Sequence, residues 1–337
     1  MPLGKRFRVF ISSRSFGRLS DEPVKVLEAI AEVERSTYGR ALKEGELASI
    51  LPSYDAVIIG NDEVTRRVIE SSTRLKVVAK HGVGLDNIDL EAATERGVIV
   101  TYVPGMNAES VAEFTFALIL ALSRKLIDAH LSTKSGGWES RRFIGTELYG
   151  KTIGIIGMGA IGSRVARIAK GFNMRILCYT AHPERHREEA GKYNVEFVDL
   201  ETLMRKSDVV TVHCRLTPET EGMIGEKELS LMKETALLIN TARGPIVDLK
   251  AIYKALKEGR IAGAAFDVYH REPPGADYPL FKLNNVIVAP HIASYTREAL
   301  INIDMVQARD VVKALIGRKP KFVANPEVLR RLASICE

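Results

Sequence analysis

Three single side chains and one glycine turn are the residues of this chain best suited to chemistry. His291 follows the apolar run Val286 to Ala289 and Pro290, Arg243 follows Ala236 to Asn240, and Glu272 comes shortly after Ile261 to Asp267. Each run reads as a buried strand, so each residue is expected beyond a strand's carboxyl end, where open α/β sheets bind ligands. An imidazole exchanges protons near neutral pH, and a guanidinium grips a carboxylate with two prongs. A carboxylate beside the imidazole would fix its tautomer. Taken singly, Arg243 reads as a surface ion pair, Glu272 as a solvated loop acid and His291 as a cap or core histidine. Their arrival from three strand ends makes a joint site the better reading: a proton donor for an oxygen next to a bound carboxylate.

The turn Gly157-Met158-Gly159-Ala160-Ile161-Gly162 lies between the apolar run Ile153 to Ile156 and a helical pattern beginning at Ile161. In that context the first glycine permits a tight turn, the second lets the backbone approach a pyrophosphate, and the third brings helix and strand close. The helix start supplies unpaired N–H groups for the anion. A dinucleotide is therefore the expected cofactor, and a nicotinamide could exchange a hydride with the carbon whose oxygen His291 protonates. The same fingerprint expects an acid about 20 residues on, at the end of the next strand, for the ribose hydroxyl. Thr180 stands there instead, with His182, Arg185 and Arg187 close by. Without a repelling carboxylate, a 2′-phosphate is as acceptable as a hydroxyl, which leaves NAD and NADP both open.

Positioning these groups requires alternating strands and helices. Strand-like runs occur at Phe7 to Ile11, Ala56 to Ile59, Leu75 to Ala79 and Val98 to Tyr102, separated by helical patterns at Val24 to Glu34, Val64 to Ser71 and Asp89 to Arg96. A second series runs through Thr152 to Ile156, Arg175 to Tyr179, Val209 to His213 and the three strands that precede Arg243, Glu272 and His291. Such alternation predicts parallel sheets with helices on both faces. One long helix is expected from Asn107 to about His130, with Val111, Phe114, Leu118 and Leu122 at helical spacing. Another is expected from Thr296 to about Ile316, stopped by Gly317 and Pro320. Following the second series, it is expected to pack back on the first.

The bulk composition agrees. At about 150 residues per domain, 337 residues make about two. With 46% hydrophobic and 27% charged residues the chain reads as globular, and no apolar run approaches the roughly 18 residues of a membrane span. The basic start from Met1 to Ile11 leads into polar Ser12-Ser13-Arg14 rather than a signal-peptide core, so a cytoplasmic location is expected. Cys178, Cys214 and Cys336 show no metal-ligand spacing, which predicts neither disulfide framework nor metal site. The net charge of +6 is spread among acids, favouring small anionic ligands over nucleic acid.

Several motifs in order resemble the D-isomer-specific 2-hydroxyacid dehydrogenases, the family of phosphoglycerate dehydrogenase, glyoxylate/hydroxypyruvate reductase and formate dehydrogenase. They are Gly82-Val83-Gly84-Leu85-Asp86-Asn87-Ile88-Asp89, Asn107-Ala108-Glu109-Ser110-Val111-Ala112-Glu113, the glycine turn, Asn240-Thr241-Ala242-Arg243-Gly244, Asp267-Val268-Tyr269 with Glu272-Pro273, and Pro290-His291-Ile292-Ala293-Ser294. The resemblance implies two Rossmann-like doubly wound parallel-sheet domains: a discontinuous substrate domain of residues 1–103 and 293–337, and a dinucleotide-binding domain of residues 104–292. It implies that Arg243 binds the substrate carboxylate, His291 is the acid/base and Glu272 orients it. Val83 and Gly84 would hold the carboxylate through their backbone, with Lys80 and His81 bordering the pocket. Asp267 would meet the nicotinamide amide, and Thr217, Thr241 and Ala242 would line the cofactor cleft beside Gly157, Gly159, Ala160, Ile161, Gly162 and Thr180. A homodimer through the cofactor domain is implied, with Trp138 in its interface. Arg215 stands where the family often has proline. The activity implied is hydride transfer between NAD(P)H and C2 of a small 2-oxo or 2-hydroxy acid. A non-catalytic, NAD(H)-sensing protein of the corepressor type is the alternative on the same fold, and the shortness of the chain beyond Asn325-Pro326 favours the enzyme.

Overall fold

Strands such as Ala56-Val57-Ile58-Ile59, apolar at every position, suit a parallel sheet covered on both faces. The computed structural model, which describes residues 7–335, builds two such sheets. The chain divides into two units, Met1–Asn107 with Tyr295–Glu337, and Ala108–Ser294.

The first unit runs β1 (Phe7–Ile11), α1 (Glu22–Glu28), β2 (Ala31–Arg35), α2 (Glu44–Ile50), β3 (Ala56–Ile59), α3 (Arg66–Ser71), β4 (Val77–Lys80), α4 (Leu90–Glu95) and β5 (Ile99–Thr101). Its strands lie parallel in the order β2-β1-β3-β4-β5. Side chains alternate across the sheet, so Val57, Ile59 and Val78 enter one core while Ala56, Ile58 and Val77 enter the other. The Asp89 carboxylate starts α4 by accepting from Ala92 N at 2.8 Å.

The second unit comprises α5 (Ala108–Ser123), α6 (Leu126–Lys134), β6 (Thr152–Ile156), α7 (Ala160–Gly171), β7 (Arg175–Tyr179), α8 (Arg187–Tyr193), β8 (Val195–Phe197), α9 (Leu200–Lys206), β9 (Val209–Val212), α10 (Glu226–Leu231), β10 (Leu237–Asn240), α11 (Leu249–Lys257), β11 (Gly263–Phe266) and β12 (Val286–Val288). Its seven strands are parallel, ordered β12-β11-β10-β9-β6-β7-β8. Residues of α5 and α7 cover one face and residues of α9, α10 and α11 the other. The chain then re-enters the first unit as α12 (Arg297–Leu315) and α13 (Glu327–Ile335). Ala308, Val311 and Leu315 of α12 bury against β1, β3 and β4, with Val311 and Leu315 contributing roughly 1.5–3 kcal/mol each.

Two expectations change. The helical pattern from Val24 to Glu34 is in fact α1 followed by β2, because the Ala31-Glu32-Val33 alternation pairs along β1 as a sheet edge, and tertiary pairing overrides the helix preference of its glutamates. The helix from Asn107 to about His130 is broken at Lys125, whose φ of 51° is left-handed, giving α5 and a separate α6 with no buried residue.

Candidate active site

The glycine turn joins β6 to α7. Gly157 has φ 100°, and a Cβ there would stand 2.7 Å from Cys214 N, so both its backbone and the neighbouring loop demand glycine. At Gly162 a Cβ would collide with the Gly157 carbonyl. Gly159 differs: a Cβ added to it meets nothing within 4 Å. The fold itself places no demand on that glycine, which leaves the backbone there open to an approaching group. Exposed Gly159 and Ala160 open the twelve-residue helix α7, whose first-turn N–H groups lack intrahelical acceptors. The turn therefore fits the pyrophosphate of a dinucleotide.

Thr180 is half-buried directly beyond β7, and His182, Arg185 and Arg187 follow it exposed. Glu184 lies 3.4 Å from His182 and 3.8 Å from Arg185, whereas Arg187 makes no ion pair among the described residues.

Within the same unit, His291 and Glu272 meet. His291 Nδ1 stands 2.5 Å from Glu272 Oε2, and Tyr269 N donates to Glu272 Oε1 at 3.1 Å. Burial alone would push the Glu272 carboxyl up, but the His291 hydrogen bond and charge, the Tyr269 N–H and the Arg243 charge outweigh it and hold it below its ordinary value. Glu272 is thus ionised near neutral pH, and the field of Arg243 reaches it. Arg243 leaves β10 on extended backbone, with Asn240 Nδ2 donating to its carbonyl at 2.8 Å and its own Nη1 donating to Ala242 O at 2.8 Å. Pinned through Nδ1, the imidazole keeps Nε2 for an exchangeable proton.

Asp267, just beyond β11 and fully buried, engages the segment that carries His291. Its two oxygens accept from Ile292 N at 2.8 Å and Ala293 N at 2.7 Å. Burial pushes its carboxyl up, and those N–H groups and the His291 charge offset only part of that. His291 has φ 57°, a left-handed conformation costing a non-glycine residue of order 1 kcal/mol, and the Asp267 clamp beside it holds the turn. Sequence reading assigned Asp267 to the cofactor alone; the bonds to residues 292 and 293 arise from a tertiary approach that no local pattern signals.

Thr241 hydrogen-bonds Thr115 of α5 (Oγ1 to Oγ1, 3.2 Å), Ala242 is half-buried beside it, and Thr217 N donates to Thr220 Oγ1 at 2.8 Å in the loop after β9. Arg215 in that loop is exposed. His213 was not singled out from sequence. Thr211 Oγ1 stands 2.9 Å from its Nε2, and its enclosed Nδ1 has no partner among the described residues. Burial pushes this imidazole down to about 3, so it is neutral. Asn107 Oδ1 is likewise buried and unpartnered among the described residues. Cys178 and Cys214 are free thiols that burial pushes up to about 12 and about 11; Cys336 lies outside the described residues.

In the first unit, Lys80 Nζ donates to Gly60 O at 2.6 Å and Asn87 Oδ1 at 2.9 Å, and His81 Nε2 lies 2.5 Å from Asp304 Oδ1. Both side chains are engaged within the unit, at the end of β4 that leads to Gly82, Val83 and Gly84. No group of three or more His, Cys, Asp or Glu among the described residues could hold a metal ion, and no helix among them is long and apolar enough to cross a membrane.

Residues 116–293 match the profile described as D-isomer specific 2-hydroxyacid dehydrogenase, NAD binding domain. A glyoxylate reductase of Thermococcus litoralis is 42% identical over 332 residues, covering 96% of this chain and 98% of that protein. A D-3-phosphoglycerate dehydrogenase of Archaeoglobus fulgidus is 44% identical over 295 residues, 87% of this chain, which spans only 55% of that protein's length. Among solved structures, the apo-structure of D-lactate dehydrogenase from Escherichia coli superposes with TM-score 0.82 at 31% identity, covering 94% of this chain and 99% of that one.

Proposed function

Because the chain belongs to the D-isomer specific 2-hydroxyacid dehydrogenase family, we propose that it transfers a hydride between a nicotinamide dinucleotide and C2 of a small 2-oxo or 2-hydroxy acid, of the glyoxylate, hydroxypyruvate or phosphoglycerate kind. The observation that carries this reading is the His291–Glu272 pair, with Arg243 close enough to lower the same carboxylate. When bound, the dinucleotide supplies or accepts the hydride. Arg243 holds the acid's carboxylate, as a guanidinium fork suits a planar two-oxygen group. The backbone N–H groups of Val83 and Gly84 are further donors to that carboxylate. His291 gives the substrate oxygen its proton on reduction and takes it back on oxidation, while Glu272 fixes its tautomer. Asp267 holds the His291 turn in place. Gly157, Gly159, Ala160, Ile161 and Gly162 cradle the pyrophosphate, with Thr217, Thr241 and Ala242 along the cofactor's path.

With Thr180 in place of an acid and Arg187 without an ion pair among the described residues, the ribose end accepts NADP as well as NAD. The chain assembles as a homodimer through its second unit. Leu126, Ile127, Leu131, Trp138, Ile144 and Tyr149 are all exposed within one 24-residue stretch, Trp138 at 89%, and exposed apolar side chains grouped in this way suit an interface.

Initial rates with glyoxylate, hydroxypyruvate and 3-phosphohydroxypyruvate, each with NADH and with NADPH, test the activity. Oxidation of at least one cofactor by at least one acid is expected. A flat trace in every combination would leave a dinucleotide-binding protein without turnover and overturn the proposal.

A further inference from the structure

Separate from the residues assigned above, a basic cavity lies in the first unit beyond the carboxyl ends of β1 and β2. It has a volume of about 40 Å³, room for a few waters, and is lined by Ser13, Arg14, Arg18, Arg35, Ser36 and Arg40 and by no acid. Arg40 is neutralised by Glu46, which it grips at 2.6 and 2.8 Å. Arg14, Arg18 and Arg35 make no ion pair among the described residues; their guanidinium groups bond only to backbone carbonyls, of Gly39, Arg14 and Phe16. Two carboxylates near this loop are already engaged. Asp62 accepts from Ser12 Oγ, Gly60 N and Leu42 N, and Asp304 accepts from Gly17 N and contacts His81. Three guanidinium groups thus line one cavity without an ion-pair partner among the described residues, an arrangement that favours an anion between them.

Two features suit the cavity to receiving one. It lies beyond the carboxyl ends of β1 and β2, the end of an open parallel sheet at which ligands bind. Ser13 is 5% exposed and lines the cavity, and its hydroxyl, which makes no hydrogen bond among the described residues, is open to the cavity rather than enclosed. The loop is also held in shape before any ligand arrives: Ser15 Oγ stands 3.2 Å from His81 Nδ1, Gly17 N donates to Asp304 at 2.8 Å, and Arg35 Nη1 donates to Phe16 O at 2.8 Å.

We propose that Arg14, Arg18, Arg35 and Ser13 form a binding site for a phosphate group, free or carried as a monoester on a small metabolite. Three unbalanced charges and a hydroxyl match a tetrahedral group bearing nearly two negative charges better than a single carboxylate.

The test is isothermal titration of inorganic phosphate, and separately of glycerol 2-phosphate, into the full chain saturated with NADH, at ionic strength held constant with sodium chloride. Tighter binding of the ester identifies a metabolite as the ligand, and equal binding identifies phosphate itself; either supports the site. The double variant Arg14→Gln/Arg18→Gln removes only side chains bonded to backbone at the surface, so its melting temperature in chloride should match that of the parent. Its phosphate affinity should fall roughly tenfold or more, as expected for lost charge-assisted bonds. Each single variant should show part of that loss, which keeps the test intact if the double variant is unstable. Arg243→Gln, which alters the cation assigned to the substrate, should bind phosphate as the parent does. Absence of binding beyond chloride, unchanged affinity in the arginine variants, or loss of binding in Arg243→Gln would each overturn the proposal.

Discussion

Replacing Glu272 by glutamine isolates what the carboxylate does for His291. The shape of the side chain is kept, and one charge is removed from a contact of 2.5 Å between Oε2 and Nδ1. A hydrogen bond to a charged group contributes about 1.5–3 kcal/mol. At about 1.36 kcal/mol per tenfold, its loss from a step that charges or discharges the imidazole slows that step about 10- to 150-fold. Glutamine also brings an amide that can donate to Nδ1 and stabilise the wrong tautomer, which places the effect toward the upper end. Single-turnover reduction with saturating acid is the assay, since product release does not mask the chemical step there. The dissociation constant for NADH, followed by fluorescence, should stay within about twofold, because Glu272 belongs to the proton chain rather than the pyrophosphate turn. A single-turnover rate within twofold of the parent would refute the reasoning, as would loss of rate fully explained by loss of cofactor binding.

Further outcomes can be checked directly. Gly159→Ala should weaken NADH binding with the melting temperature unchanged, since its Cβ meets nothing in the chain, whereas Gly157→Ala should destabilise by roughly 1–3 kcal/mol because φ is 100° and Cys214 N is in the way; equal thermal effects would contradict the distinction. Leu131→Glu combined with Trp138→Glu should sediment as a monomer, and a sedimentation coefficient equal to the parent's would remove this surface from the interface. His213 supplies a pH dependence. Its folded value lies near 3, below the unfolded one, so the stability it contributes is complete above about pH 6.5 and is lost as pH falls from there toward 3. Urea unfolding at pH 7 and pH 5 should show the parent losing about 2 kcal/mol more than His213→Gln, and parallel curves would count against a neutral buried imidazole.

The sequence made much of this molecule legible because its signals are local. An all-apolar run such as Ala56 to Ile59 can satisfy its backbone and bury both faces only within a covered parallel sheet, and that strand lies where the run predicts. A glycine turn between strand and helix has its geometry written into neighbouring residues, and Gly157 and Gly162 are explained by contacts within or beside the turn. Local signals fail where pairing is remote. The strand Ala31–Arg35 looks helical until β1 lies alongside it, and the break at Lys125 leaves no mark in the apolar spacing. The same holds for the site. That a histidine, an arginine and two acids stand after strands was readable from residue order. Only the tertiary structure decided that Glu272 reaches His291, 19 residues away, and that Asp267 uses both oxygens to fix the turn behind it. Hydrogen bonds depend on separations of a few ångströms, and such separations between distant positions in the chain exist only once the sheet that carries them has formed.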